Sequence, residues 1–227
     1  MMQSSTSHSK LFKTCFLVLA IGLVGCKDKK KNAESNNEQA IALKDIQTTN
    51  LPFTFQIPAS WKPERIELTP MPEPPPATEG TPTVKLSGRL LFAAKGEAKN
   101  RVPPRIEIFH DPFLPEGTTA TDYLNAQRQS NEDAIREKRE ESESSIRHVE
   151  AERSRREGRP SYHVRDEWDF AMGAEKTTIS QESLLVIDIE DSQLHGYTIV
   201  LTMLKDDLPA LKKAISKMFR SLRFPDG

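Results

Sequence analysis

The sequence predicts an α+β domain, an antiparallel β-sheet flanked by helices, preceded by a signal peptide and a flexible tether. Three observations lead there. Apolar residues alternate with period two in several runs between residues 51 and 204, and hairpin-length turns separate the later runs. The last segment changes to a period of 3.6, the mark of a helix laying one face on a sheet. Another helix opens near residue 120, between the early and the late strands.

The N-terminus carries an address. Lys10 and Lys13 precede an apolar run over residues 15–24, which stops at Gly25, Cys26 and the charged residues Lys27 to Lys31. A basic start, a short apolar run and a small residue at the cut form a secretory signal. The run is about half of the ~20 residues that a membrane-spanning helix needs. Leu23, Val24, Gly25 and Cys26 resemble the lipobox of bacterial lipoproteins. The resemblance implies cleavage between Gly25 and Cys26, S-diacylglycerol on the Cys26 thiol and an N-acyl group, such as palmitate, on the new amine. Two or three chains hold firmly, because each buried methylene contributes ~0.8 kcal/mol. Cys15 leaves with residues 1–25, so Cys26 is the single cysteine of the mature chain and no intramolecular disulfide exists. Lys27, not an acid, follows Cys26. In the enteric sorting pattern that favours the outer membrane, facing the periplasm, over the inner membrane.

Residues 26–48 are polar and rich in Asn, Glu and Lys, with too little apolar surface to offset the entropy of ordering. They are expected to form a lipidated tether ahead of a single domain over 49–224. The formal charge is −1 for the whole chain and, once Lys10 and Lys13 are removed, about −3. Such a balance excludes the basic footprint of a nucleic-acid binder.

Along the domain, Phe53, Phe55 and Ile57 share one face of a first strand, and Trp61 closes the turn after it. Residues 69–83 hold Pro70, Pro72, Pro74, Pro75, Pro76 and Pro82, a density that only a loop tolerates. Strands are expected over 84–94 and 105–110, then a turn over 111–117. The helix near residue 120 takes Thr119 or Thr121 as its N-cap. It runs into a stretch over 132–159 with nine acids and eight bases, read as a solvated helix face continuing into an exposed hairpin, or as a docking surface. Gly158 and Pro160 mark a turn. Tyr162, Val164, Asp166, Trp168, Phe170 and Met172 then alternate, with Asp166 interrupting the apolar side. Strands over 177–189 and 196–204 follow, the latter apolar on both faces and therefore central. Asp206 and Asp207 lead a helix with Pro209 in its first turn and the stripe Leu208, Leu211, Ile215, Met218, Phe219, Leu222.

This layout resembles the PsbP-like superfamily of α/β/α sandwiches. The residues that carry the likeness are Phe53 to Trp61, with its Pro58-Ala59-Ser60-Trp61 turn; Gly158 to Tyr162; Gly196 and Tyr197 before an apolar run; and Phe219 to Phe224. The superfamily includes a photosystem protein, a nuclear-import factor and bacterial envelope lipoproteins, so it implies a fold and no shared site residues.

The search for chemistry yields little. His110, His148, His163 and His195 lie apart, without the spacing of a local metal site. A zinc set can be drawn across strands from His163, His195 and Asp188, and a weak calcium site from Asp188, Glu190 and Asp191. Lone strand histidines and acidic turns more often serve the surface. His110 and Asp111 are sequence neighbours on a strand and so face opposite ways. Asp166 beside Trp168 is either a buried acid or a partner for the charged stretch. There is no nucleophile elbow and no phosphate-cradling or dinucleotide loop. No catalytic residue, metal ligand or cofactor is therefore assigned. The sequence points to a non-enzymatic envelope lipoprotein that binds another protein. The alternatives are a small-ligand or divalent-metal binder and a hydrolase with a dispersed site. Changing Cys26→Ser should abolish incorporation of labelled fatty acid and leave an unprocessed precursor; lipid label persisting on that variant would refute the anchor.

Overall fold

Long antiparallel strands joined by two-residue turns fix the register of this molecule. Its computed structural model describes residues 41–73, 84–97, 102–138, 146–172 and 175–225. The expected signal peptide over residues 1–25 and Cys26 lie outside the described residues, as do residues 74–83 of the proline loop and 139–145 of the charged stretch.

In chain order the elements are β1 (Leu43–Asp45), β2 (Gln56–Pro58), β3 (Lys62–Pro63), β4 (Arg89–Lys95), β5 (Arg105–Leu114), α1 (Ala120–Lys138), β6 (Arg147–Arg156), β7 (Arg159–Met172), β8 (Glu175–Glu190), β9 (Gln193–Leu204), a 3-10 turn (Lys205–Asp207) and α2 (Leu208–Arg220). Seven strands form one antiparallel sheet in the order β3-β4-β5-β9-β8-β7-β6, and β1 pairs with β2 apart from it.

The turns explain the register. Between Arg156 and Arg159, Glu157 and Gly158 have φ of 50° and 80°; between Glu190 and Gln193, Asp191 and Ser192 have φ of 50° and 65°. Positive φ at both central positions makes a type I′ turn, whose twist matches that of the strands it joins. Alternation then sends neighbouring residues of β8 to opposite faces. Leu184 and Val186 join Ile106, Ile108, Ile199, Leu201 and Met203 beneath Ile215, Met218 and Phe219 of α2. Leu185 and Ile187 join Val164 beneath Ala120, Tyr123 and Leu124 of α1. Trp168, Ile179 and Leu204, with Val102, make a smaller cluster. The result is a helix–sheet–helix sandwich.

Thr119 is the N-cap of α1: its hydroxyl accepts from the Asp122 N–H, and the Asp122 carboxylate accepts from the Thr119 N–H at 2.9 Å. The stripe on α2 falls as its period requires, with Ile215, Met218, Phe219 and, just beyond, Leu222 buried.

Four boundaries differ from the sequence reading. Leu43–Asp45, expected within the tether, is a strand paired to Gln56–Pro58, with Leu43 and Ile46 against the core. The strand expected over 84–94 begins only at Arg89. The turn expected at 111–117 begins later, because β5 continues to Leu114 across an irregularity after Asp111. Pro112 is tolerated in this interior strand because the ladder is already broken there. Residues 147–156 are a full partner strand of β7. Among the described residues no helix is long and apolar enough to cross a membrane.

Gly196 shows how closely the layers approach. A β-carbon there would lie 2.5 Å from Cζ of the fully buried Tyr123 on α1. Gly196→Ala should destabilise the domain by about 1–3 kcal/mol, the usual cost of overpacking. That corresponds to a fall of roughly 3–10 °C in Tm. An unchanged Tm would show that α1 does not hold Tyr123 against β9.

Candidate functional site

The acids and histidines that could do chemistry are spent mainly on one another. Asp188 and His195 stand opposite each other in the β8–β9 ladder. His163 does not join them. Its Nε2 lies 2.6 Å from a Glu182 carboxylate oxygen, and its ring meets Phe219 edge-on at 5.3 Å. Asp188 accepts from the Arg159 guanidinium, and Glu190 accepts from the Tyr197 hydroxyl. The paper zinc set is thus not assembled, and two of the three acids of the calcium set already hold partners. Among the described residues no group of three His, Cys, Asp or Glu side chains is placed to hold a metal ion.

What the fold brings to His195 is His110. Nε2 of His110 lies 2.9 Å from Nδ1 of His195, both rings are buried, and the His110 ring stacks on Tyr197 at 4.7 Å. One ring donates and the other accepts, so the pair is satisfied while neutral. The 85-residue separation leaves no local signal of this pair. His110 and Asp111 do face opposite ways. Asp111 points to α1, where it accepts from the Tyr123 hydroxyl at 2.7 Å and Gln127 at 3.0 Å, and its other oxygen accepts from the Gly88 N–H. Burial pushes the Asp111 carboxyl up, against the pull of these donors.

Asp166 is buried and paired with the charged stretch. Its carboxylate meets His148 Nδ1 at 2.8 Å, and His148 Nε2 meets Glu132 of α1 at 3.1 Å. Both ring nitrogens of His148 thus face carboxylates of this chain. On the same helix Arg136 meets Asp133 at 3.4 Å. An open depression of about 740 Å3 at residues 45–50 and Thr54 contains one titratable side chain, Asp45, already bonded to Gln56. It offers no converging acid and base for a hydrolase.

The exposed chemistry is on β6. This ten-residue strand ends the sheet order, and all of its residues except Ser154 and Arg156 are exposed. Register puts Arg153 and Arg155 on the α1 side and Glu150, Glu152 and Arg156 on the α2 side. Arg165 meets Glu150 at 3.1 Å, and Arg147 meets Asp169 at 3.2 Å.

The histidine pair has a pH consequence. Burial first, then the electrostatic influence of His195 and of Arg89, lower the His110 pKa from 6.5 to about 4. The unfolded chain takes up a proton below pH 6.5, whereas folded His110 resists until about 4. Its contribution to stability is thus complete above pH 6.5 and is lost as the pH falls towards 4. Urea unfolding between pH 7 and 4 should show that loss, and His110→Gln should flatten it; an equal slope in both proteins would remove His110 as the cause.

No family model matches the chain, and no curated protein matches it in sequence. Solved structures do match in fold. The cyanobacterial PsbP (CyanoP) from Synechocystis sp. PCC 6803 is similar with a TM-score of 0.51 at 13% identity, covering 85% of this chain and 98% of that one. LpqN, a Mycobacterium tuberculosis protein involved in cell envelope biogenesis, matches with a TM-score of 0.45 at 10% identity, covering 82% and 92%. At these identities the likeness concerns the fold alone. The mainly antiparallel sheet, with α1 on one face and α2 on the other, is a PsbP-like fold.

Proposed function

We propose that this chain is a membrane-anchored envelope lipoprotein, held by lipid on Cys26 and probing the periplasm with a non-enzymatic domain that binds another protein. The outer membrane is its proposed site. The observation that carries the reading is β6: a ten-residue charged edge strand.

An edge strand offers a row of N–H and C=O groups to a further strand, and its side chains select the partner. Charges on an edge also deter self-pairing. On β6 both signs are present, and the ladder shifts register between His148 and Glu150, where Val149 is exposed. A partner of complementary charge can pair with such an edge. The internal carboxylates support the same reading, because they face hydrogen-bond donors and not a cavity.

A photo-reactive residue at Arg153 should cross-link, in intact cells, to one envelope protein. Adding Arg147→Glu and Arg155→Glu should cut that adduct by about tenfold, as expected for charged contacts across an interface. No adduct from positions 151, 153 and 155, in a chain whose Cys26 carries lipid, would overturn docking on β6.

A further inference from the structure

The outward face of α2 has a different character from β6. The helix reads Leu-Pro-Ala-Leu-Lys-Lys-Ala-Ile-Ser-Lys-Met-Phe-Arg and contains no acid. Its large apolar residues go inward, which leaves Pro209, Ala210, Lys212, Lys213, Ser216, Lys217 and Arg220 exposed. A helix C-terminus favours Lys217 and Arg220 in the last turn, but that effect does not reach Lys212 and Lys213.

Two other elements add positive charge at the same place. The β6–β7 turn folds onto the end of α2: Glu157 accepts from the Phe224 N–H at 2.8 Å and meets Arg223 at 3.3 Å, and the Arg159 guanidinium lies 4.2 Å over the Phe224 ring. This brings Arg156 beside Arg220 and Arg223. Burial, then the like charges of those two arginines, lower the Arg156 pKa, with Glu152 opposing them. Crowded guanidiniums are what an anion would relieve.

The route of the chain bears on which anion. Thr54 and Arg223 exchange backbone hydrogen bonds at 2.8 and 3.0 Å, and the Gln56 N–H donates to Ser221 Oγ at 2.9 Å. These contacts hold β2 against the C-terminal end of α2, and β1, the first described strand after the lipidation motif, pairs with β2. The fifteen residue-to-residue steps from Cys26 to Ile41 reach at most ~50 Å. The exposed face of α2 also lacks the aromatic anchors of protein interfaces, since its exposed positions are Pro, Ala, Lys, Ser and Arg.

We infer that the outward face of α2, extended by Arg156 and Arg223, is a docking surface for the anionic phospholipid headgroups of the membrane that holds the chain. The inference rests on the proposed anchoring through Cys26. Each basic residue near such a surface adds roughly fivefold to partition.

The test uses the full chain on vesicles of phosphatidylcholine alone or with about 30% phosphatidylglycerol, and reads acetylation of single lysines. On anionic vesicles Lys212, Lys213 and Lys217 should be modified at least fivefold more slowly than on neutral ones, with Lys62 and Lys176 unchanged. About 0.5 M salt should abolish the difference. Lys212→Glu with Lys217→Glu should remove the protection of Lys213, and an unchanged Tm would show that the fold survives. Equal acetylation on both vesicles, or no association with either, overturns the inference. So does protection in native envelope membranes that is missing on vesicles of their extracted lipid, which would place a protein on this face. Lipid labelling of Cys26 in the same sample reports on the anchor separately.

Discussion

The fold depends on one buried carboxylate. Asp111 is fully enclosed, and it is placed by the break in β5, where Phe113 takes a φ of 58° after Pro112. An ionised acid without a cation is costly in such a place unless hydrogen bonds replace its water. Here the donors come from three directions: the Gly88 N–H, the Tyr123 hydroxyl and the Gln127 amide. Tyr123 also shares a hydrogen bond with Thr198 of β9 at 2.8 Å. One side chain therefore ties the segment before β4, the middle of the sheet and α1 together. The requirement passes on to Gly196, since Tyr123 reaches Asp111 across the space a larger residue would fill.

With α1 fixed on one face and α2 on the other, further polar groups of the sheet find partners on neighbouring elements. His163 with Glu182, and His148 with Asp166 and Glu132, satisfy each other across neighbouring elements. A buried polar group left alone would cost a few kcal/mol, and mutual pairing removes that cost along with its availability to a substrate. The same pairing that makes the sheet stable thus leaves recognition to the outside of the molecule.

The central elements were legible because their patterns are strong. The stripe on α2, the Gly158 turn and the alternation of β7 each follow from a strong local pattern in the sequence. β1 was not legible, because three residues with one apolar side chain do not stand out from a polar stretch. β6 was read as part of a hairpin but not as a ten-residue strand, since an edge strand needs no buried face and takes its order from β7. The extension of β5 was hidden by Pro112, which ordinarily marks a stop. The meeting of His110 with His195 depends on which strands become neighbours, and β5 sits beside β9 only through a crossover. Local spacing carries no record of that, which is why the zinc set drew on His163 instead.

The two exposed charge patterns differ in kind. Mixed charge on β6 carries positional information, because a partner must match signs at successive sites and gains specificity by doing so. Single-sign charge on α2 carries almost none, because headgroups are mobile and any anionic surface satisfies it. In a chain of formal charge −1, a helix with four bases and no acids concentrates positive charge against the overall balance. A face of that kind orients a domain without selecting a partner, and an edge of the other kind selects a partner without orienting it. Because α2 and β6 are fixed to the same sheet, turning the first towards a membrane would determine the direction in which the second is presented.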